Sequence, residues 1–174
     1  MRSDIPKQED SMTGTSEGQR GLCLAMSVQP LASHIRASDG RDIPFTRAIL
    51  TVRNICDTEV FGFIPHAALS QEGGTVQDVS GAFSHPHSIA PGQSASWDVY
   101  ELLLPAHPGT ASKVHMFGYR AALNWRFDLA AWAEYSSPIS SMMEQTPVAR
   151  WALRWSMSDP STGKIEVTIE PVKD

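Results

Sequence analysis

Trp151, Leu153, Trp155 and Met157 take every second position of one short run, and Ile165, Val167 and Ile169 do the same in the next. A period of two places each set on one side of an extended chain, whereas a helix would scatter it around its axis. Ser158 to Gly163, containing Pro160, joins the two runs. The pattern predicts a C-terminal β-hairpin with a large apolar face, which the rest of the chain has to cover.

The same period recurs upstream. Leu22, Leu24, Met26 and Val28 alternate with smaller or polar residues and predict a strand that ends at Pro30, because proline cannot donate to a ladder. Asp39-Gly40 signals a turn, and Ala48, Leu50 and Val52 then predict a second strand. Val60 to Ile64 reads as a third, stopped by Pro65, with Gln71 to Gly74 a loop. Pro91-Gly92 marks a tight reversal between Phe83–Ile89 and Gln93–Leu104. The second of these segments carries apolar residues on both faces (Trp97, Val99 and Leu103 against Tyr100, Leu102 and Leu104), as a central strand does. Phe117 to Leu123 and Phe127 to Tyr135 supply two further alternating runs around a corner at Asn124–Arg126. The second competes with a helical reading through Trp125, Leu129 and Trp132, and strand is preferred. Ser136 to Pro147 is a polar connection.

Short strands at intervals of about ten residues, without intervening long helices, indicate a mostly β chain folded as an antiparallel β-sandwich. A strand ending in Val52-Arg53-Asn54 and a Pro91-Gly92-Gln93-Ser94 turn before a tryptophan-bearing strand resemble immunoglobulin-like or fibronectin-type sandwiches over Phe45 to Tyr135. The resemblance implies two packed antiparallel sheets and names no functional family. Residues 1–20 are polar, without apolar period, and read as a disordered arm ahead of a single domain spanning 21–174.

The chain of 174 residues has 41% hydrophobic and 19% charged residues, enough apolar material for one core. Its net charge of −5 argues against a nucleic-acid partner, which requires clustered Lys and Arg. No apolar run approaches the ~20 residues of a membrane-spanning helix, so membrane insertion is not expected. The opening residues lack a secretory signal, which points to the cytoplasm. Cys23 and Cys56 are read as free thiols of a reduced compartment, with a disulfide as the alternative.

Candidate site residues are few. His85-Pro86-His87 sets two imidazoles on one side of an extended segment, a metal-ligand geometry that His107, His115 and Met116 would extend; the competing reading is a surface loop. Trp151 and Trp155 are read first as core and second as an exposed platform for sugars or proteins. Arg150 and Arg154 lie on the opposite face of that strand, where Glu166 and Glu170 would pair with them. Asp98, Glu101, Asp128 and Glu134 read as the solvated face of a sheet. No nucleophile elbow, phosphate loop or dinucleotide fingerprint occurs, and no cofactor is expected. The expectation is a non-catalytic module that binds a protein partner, as an assembly subunit or adaptor, with homo-oligomerisation left open. Small-ligand binding, by carbohydrate on tryptophan or metal on histidine, stands second, and an enzyme of unrecognised type third.

Overall fold

The computed structural model describes residues 22–36, 39–71, 76–78, 80, 84–99, 125–138 and 142–173. The N-terminal arm, the run Phe117–Leu123 and the residues Tyr100, Leu102 and Leu104 therefore lie outside the described residues. Among the described residues there are ten strands: β1 (Leu24–Arg36), β2 (Asp42–Asn54), β3 (Val60–Gln71), β4 (Gln77–Asp78), β5 (Ser88–Ile89), β6 (Ser94–Asp98), β7 (Trp125–Ser136), β8 (Glu144–Gln145), β9 (Ala149–Asp159) and β10 (Lys164–Pro171). They join in the order β1-β2-β10-β9-β7-β3-β4, with β5 on β3, β6 on β2 and β8 on β7.

The mostly β expectation holds, but the antiparallel immunoglobulin- or fibronectin-like sandwich does not describe the hydrogen bonding. One mixed sheet curls into a half-barrel, and its two arms are linked where β2 and β10 run parallel at Phe45 and Ile165. The curl originates in β2. Ile43 and Phe45 face the core, the pattern slips at Thr46–Arg47, and Ala48, Leu50 and Val52 then face it. At the slip β2 changes neighbours, from β10 at Phe45 to β6 over Ile49–Arg53. The Thr46 carbonyl, left between the two, accepts the Trp155 indole N–H at 3.0 Å. A buried polar group without a partner costs about 1–3 kcal/mol, so this bond stabilises the split.

Two strands run through prolines that were expected to end them. Pro30 lies within β1 and Pro65 within β3. Ile55 donates to the Cys23 carbonyl at 2.8 Å, and Asn54 donates away from β1 to the Gln93 carbonyl at 3.0 Å, which together fix the parity of the ladder. In the continuous β1–β2 register the even-numbered residues of β1 then form the non-hydrogen-bonded pairs, whose N–H and C=O point away from the partner. Pro30, opposite Ala48, and Pro44, opposite His34, both fall there and withhold no ladder bond. Pro65 is opposite Ala133, whose amide and carbonyl bond Thr146, so Pro65 is likewise turned from β7. Within β3, Gly62 at φ 58° shifts the register between Phe61 and Ile64 and moves the inward face from Val60 to Phe63.

The remaining strand expectations fare better. β1 and β2 form a hairpin around Asp39-Gly40, with Gly40 at φ 86°. The Pro91-Gly92 turn forms, closed by Gln93 N–H to Ala90 C=O at 3.0 Å. It carries the chain from β5 on one arm to β6 on the other, and among the described residues β6 pairs only with β2 rather than lying centrally. Residues 127–135 are strand, with Phe127, Leu129, Ala131, Ala133 and Tyr135 buried in a single row. The C-terminal hairpin forms as predicted, Val167 opposite Trp155 and Ile169 opposite Leu153.

Two ties meet at Cys23. Cys23 and Cys56, just outside the paired ends of β1 and β2, form a disulfide, which overturns the free-thiol reading. The hairpin register explains it: Leu24 faces Asn54, so the flanking cysteines meet with Cα atoms 4.9 Å apart. The Tyr135 hydroxyl, at the far end of β7, accepts the Cys23 N–H at 3.2 Å across the core. Fully buried Asn54 organises the same corner. Its amide donates to the carbonyls of Thr58 (2.8 Å) and Ile89 (2.9 Å), and its side-chain oxygen accepts from the Cys56 N–H (2.9 Å).

Cys23→Ser/Cys56→Ser removes a cross-link of sequence separation 33 and is expected to lower unfolding free energy by roughly 3–4 kcal/mol, read by urea denaturation. Burial holds the Tyr135 phenol above its ordinary pKa; the Cys23 amide opposes this, and the Glu144 side chain adds to it. The folded-state value being the higher, the stability from this group is whole below the unfolded phenol's value of about 10 and is lost as pH rises through the folded one. Denaturation midpoints should therefore fall above about pH 10, and Tyr135→Phe should flatten that fall.

Candidate functional site

Trp151 and Trp155 are 5% and 0% exposed, so neither offers a platform and the carbohydrate reading at these residues is withdrawn. Trp155 stacks parallel to Phe45 at 6.5 Å and meets Phe127 edge-on at 6.3 Å. Alternation had placed both indoles on the hairpin's apolar face; the curl of the sheet turns that face inward. Arg150 and Arg154 are exposed on the opposite face, paired with Ala130 and Arg126 of β7. Arg154 faces Thr168 in β10, and Glu166 pairs instead with Lys164 at 2.6 Å. Hydrogen bonds from Lys164 and then Ser158 hold the Glu166 carboxyl below its ordinary range.

His85 and His87 lie in different surroundings, His85 half-buried and His87 exposed. The His85 ring packs edge-on against Phe63 at 5.9 Å, and its Nδ1 lies 3.0 Å from the Pro86 carbonyl. Phe63 stacks on Trp97, whose indole N–H donates to the Ser84 carbonyl at 2.7 Å. His87 is exposed, and its carbonyl accepts the Phe63 N–H. This segment thus covers one end of the core. Among the described residues no three His, Cys, Asp or Glu side chains are grouped to hold a metal; His107, His115 and Met116 lie outside them.

The outer face of β3 and β7 carries a half-buried polar pair that composition did not single out. His66 Nε2 lies 3.0 Å from Glu134 Oε2, and the imidazole stacks on Trp132 at 5.3 Å. Asp98, read as a solvated charge, is instead 11% exposed and ion-paired with Arg47, which also donates to Ser33 Oγ at 3.0 Å. That group ties β1, β2 and β6 together. Beyond Trp132, Ala68 and Ala130 are opposed, and their small side chains leave a shallow hollow of about 280 Å³ between Val76 and Val172. Asp128, Ser70 and Arg150 line it, whereas His66 and Glu134 do not. Its volume lies at the lower limit of ligand sites, and the histidine–carboxylate pair is set apart from it.

The first edge of the sheet offers a different kind of surface. In this half of β1 the residues Gln29–Ala32, His34 and Arg36 are exposed, Leu31 at 54%, and Ser33 is half-buried, while β2 beneath it remains paired residue by residue. Among the described residues no strand lies on the other side of β1. The outward set fixed by the hairpin register comprises the even-numbered residues, so the N–H and C=O groups of Ala32, His34 and Arg36 line a free edge. Pro30 removes the donor just before them and guards the middle of the strand. The missed signal was in the turn: a hairpin centred at Asp39-Gly40 whose second strand reaches Asn54 requires a first strand reaching back to Leu24, straight through Pro30.

Proline substitution reads this geometry directly. Ala32→Pro, at an outward position, should leave the thermal midpoint within a few degrees of the parent; Ser33→Pro, which removes the donor to β2 opposite Phe45, should lose about 1–3 kcal/mol. Equal losses for the two would contradict the assigned register.

No family model matches the chain, and no curated protein matches it. Two solved structures are similar in part. One is described as the X-ray structure of Northeast Structural Genomics Consortium target SoR45, at 9% identity and a TM-score of 0.39, with 74% of this chain and 85% of that one covered. The other is the crystal structure of a protein from Archaeoglobus fulgidus, at 12% identity and a TM-score of 0.29, with 85% and 97% covered. Likeness at this level assigns no activity.

Proposed function

We propose that the chain is a non-catalytic β module that recognises another polypeptide by strand addition at β1. The observation that carries this reading is the edge at Ala32, His34 and Arg36, a short row of outward backbone donors and acceptors that no strand among the described residues pairs, with all three side chains exposed. Such an edge supplies main-chain hydrogen bonds to an added strand, and flanking side chains select it. The alternatives lack comparable support: the C-terminal tryptophans are core, and His85 is packed against Phe63.

The Cys23–Cys56 disulfide bears on where this happens. Disulfides persist in oxidising compartments and are uncommon in the cytosol, so the pairing favours an extracytoplasmic setting over the cytoplasmic one expected from the opening residues.

A photoreactive residue placed at exposed Leu31, in native extract, should give a discrete protein adduct, either to a second copy or to another chain. The same group at exposed Thr168, on the outer face of β10, should give none. Absence of any adduct at Leu31, or equal labelling from both positions, would remove the proposal.

A further inference from the structure

We propose that the partner strand at this edge is the same segment of a second copy, so that two chains associate antiparallel through Ala32–Arg36. The inference rests on the strand-addition reading and specifies its occupant.

Hydrogen-bond parity supplies the argument. Of the outward residues in β1, Pro30 has no donor, and the uninterrupted set that follows is Ala32, His34 and Arg36. An antiparallel pair about a two-fold axis requires a strand to be complementary to itself. Centred on His34, the register sets Ala32 against the partner copy's Arg36, His34 against its equivalent, and Arg36 against Ala32. Every outward donor and acceptor of the set then meets its complement, and Pro30 falls outside the seam. A centre at Ala32 would instead place Pro30 opposite His34 and forfeit a bond at each end.

Charge does not oppose the approach. Arg36 pairs with Asp42 at 3.4 Å, and Arg41 with Asp39 at 2.6 Å, within the same hairpin end. The Asp39 carboxyl, held below its ordinary range by the Arg41 amide and then by its side chain, stays ionised to match that guanidinium. Two copies thus present nearly neutral edges. Exposed Leu31 beside the seam adds apolar surface that association can cover.

The test is sedimentation equilibrium of the intact oxidised chain over a wide concentration range. The parent should show a monomer–dimer equilibrium. His34→Pro, which deletes the central donor from both copies, should weaken dimerisation at least tenfold. Pro30 and Pro44 show that β1 and β2 accept proline where the amide points away from the ladder, so the variant is expected to fold; near-ultraviolet circular dichroism checks this, and Ala32→Pro is the substitute if it does not. A monomeric parent throughout, or an equally strong dimer in a folded proline variant, would overturn the inference. If the parent is monomeric but Leu31 cross-links to a different protein, self-association fails while the proposed function stands.

Discussion

The pairing of β1 with β2 is the constraint on which most of this structure depends. It runs unbroken from Leu24 opposite Asn54 to Arg36 opposite Asp42, closed at one end by the Asp39-Gly40 turn and at the other by the Cys23–Cys56 disulfide. A ladder closed at both ends cannot slip by one residue without exchanging its two faces. Its register therefore settles which amides serve the ladder and which face outward. It also sets Leu24, Met26 and Val28 against the core and brings Cys23 within reach of Tyr135 across the half-barrel.

The same register explains why punctuation misled where alternation did not. Proline stops a strand when its missing N–H would have bonded a neighbouring strand, which is the rule behind the ends expected at residues 30 and 65. Half the positions of an antiparallel strand point away from any given neighbour, and both prolines occupy such positions. Which half a residue belongs to depends on a partner distant in sequence, and local pattern does not contain it. By contrast the row from Phe127 to Tyr135 and the C-terminal hairpin were legible, since the period of two in large apolar residues reports one buried face wherever the partner lies.

Side-chain roles were less legible than strands, for a related reason. Composition treats Trp155 as a ring of either burial, but its place follows from the split in β2, where the unclaimed Thr46 carbonyl meets the indole N–H. Asn54 appears in sequence as a strand end, yet it bonds the carbonyls of Thr58 and Ile89 and the amide of Cys56. The cysteines, at a separation of 33, become neighbours only once the hairpin is drawn back to Leu24. Each case depends on contacts made by topology. The free edge of β1 belongs with them, since it is defined by the neighbour the strand lacks among the described residues.

Amide hydrogen exchange along β1, followed residue by residue by NMR on dilute protein, tests the central claim most directly. The account predicts alternation: slow exchange at Leu31 and Ser33, whose N–H groups bond β2, and fast exchange at Ala32, His34 and Arg36, which face outward. Uniform protection across Leu31–Arg36, or the opposite alternation, would contradict the register and with it the free edge.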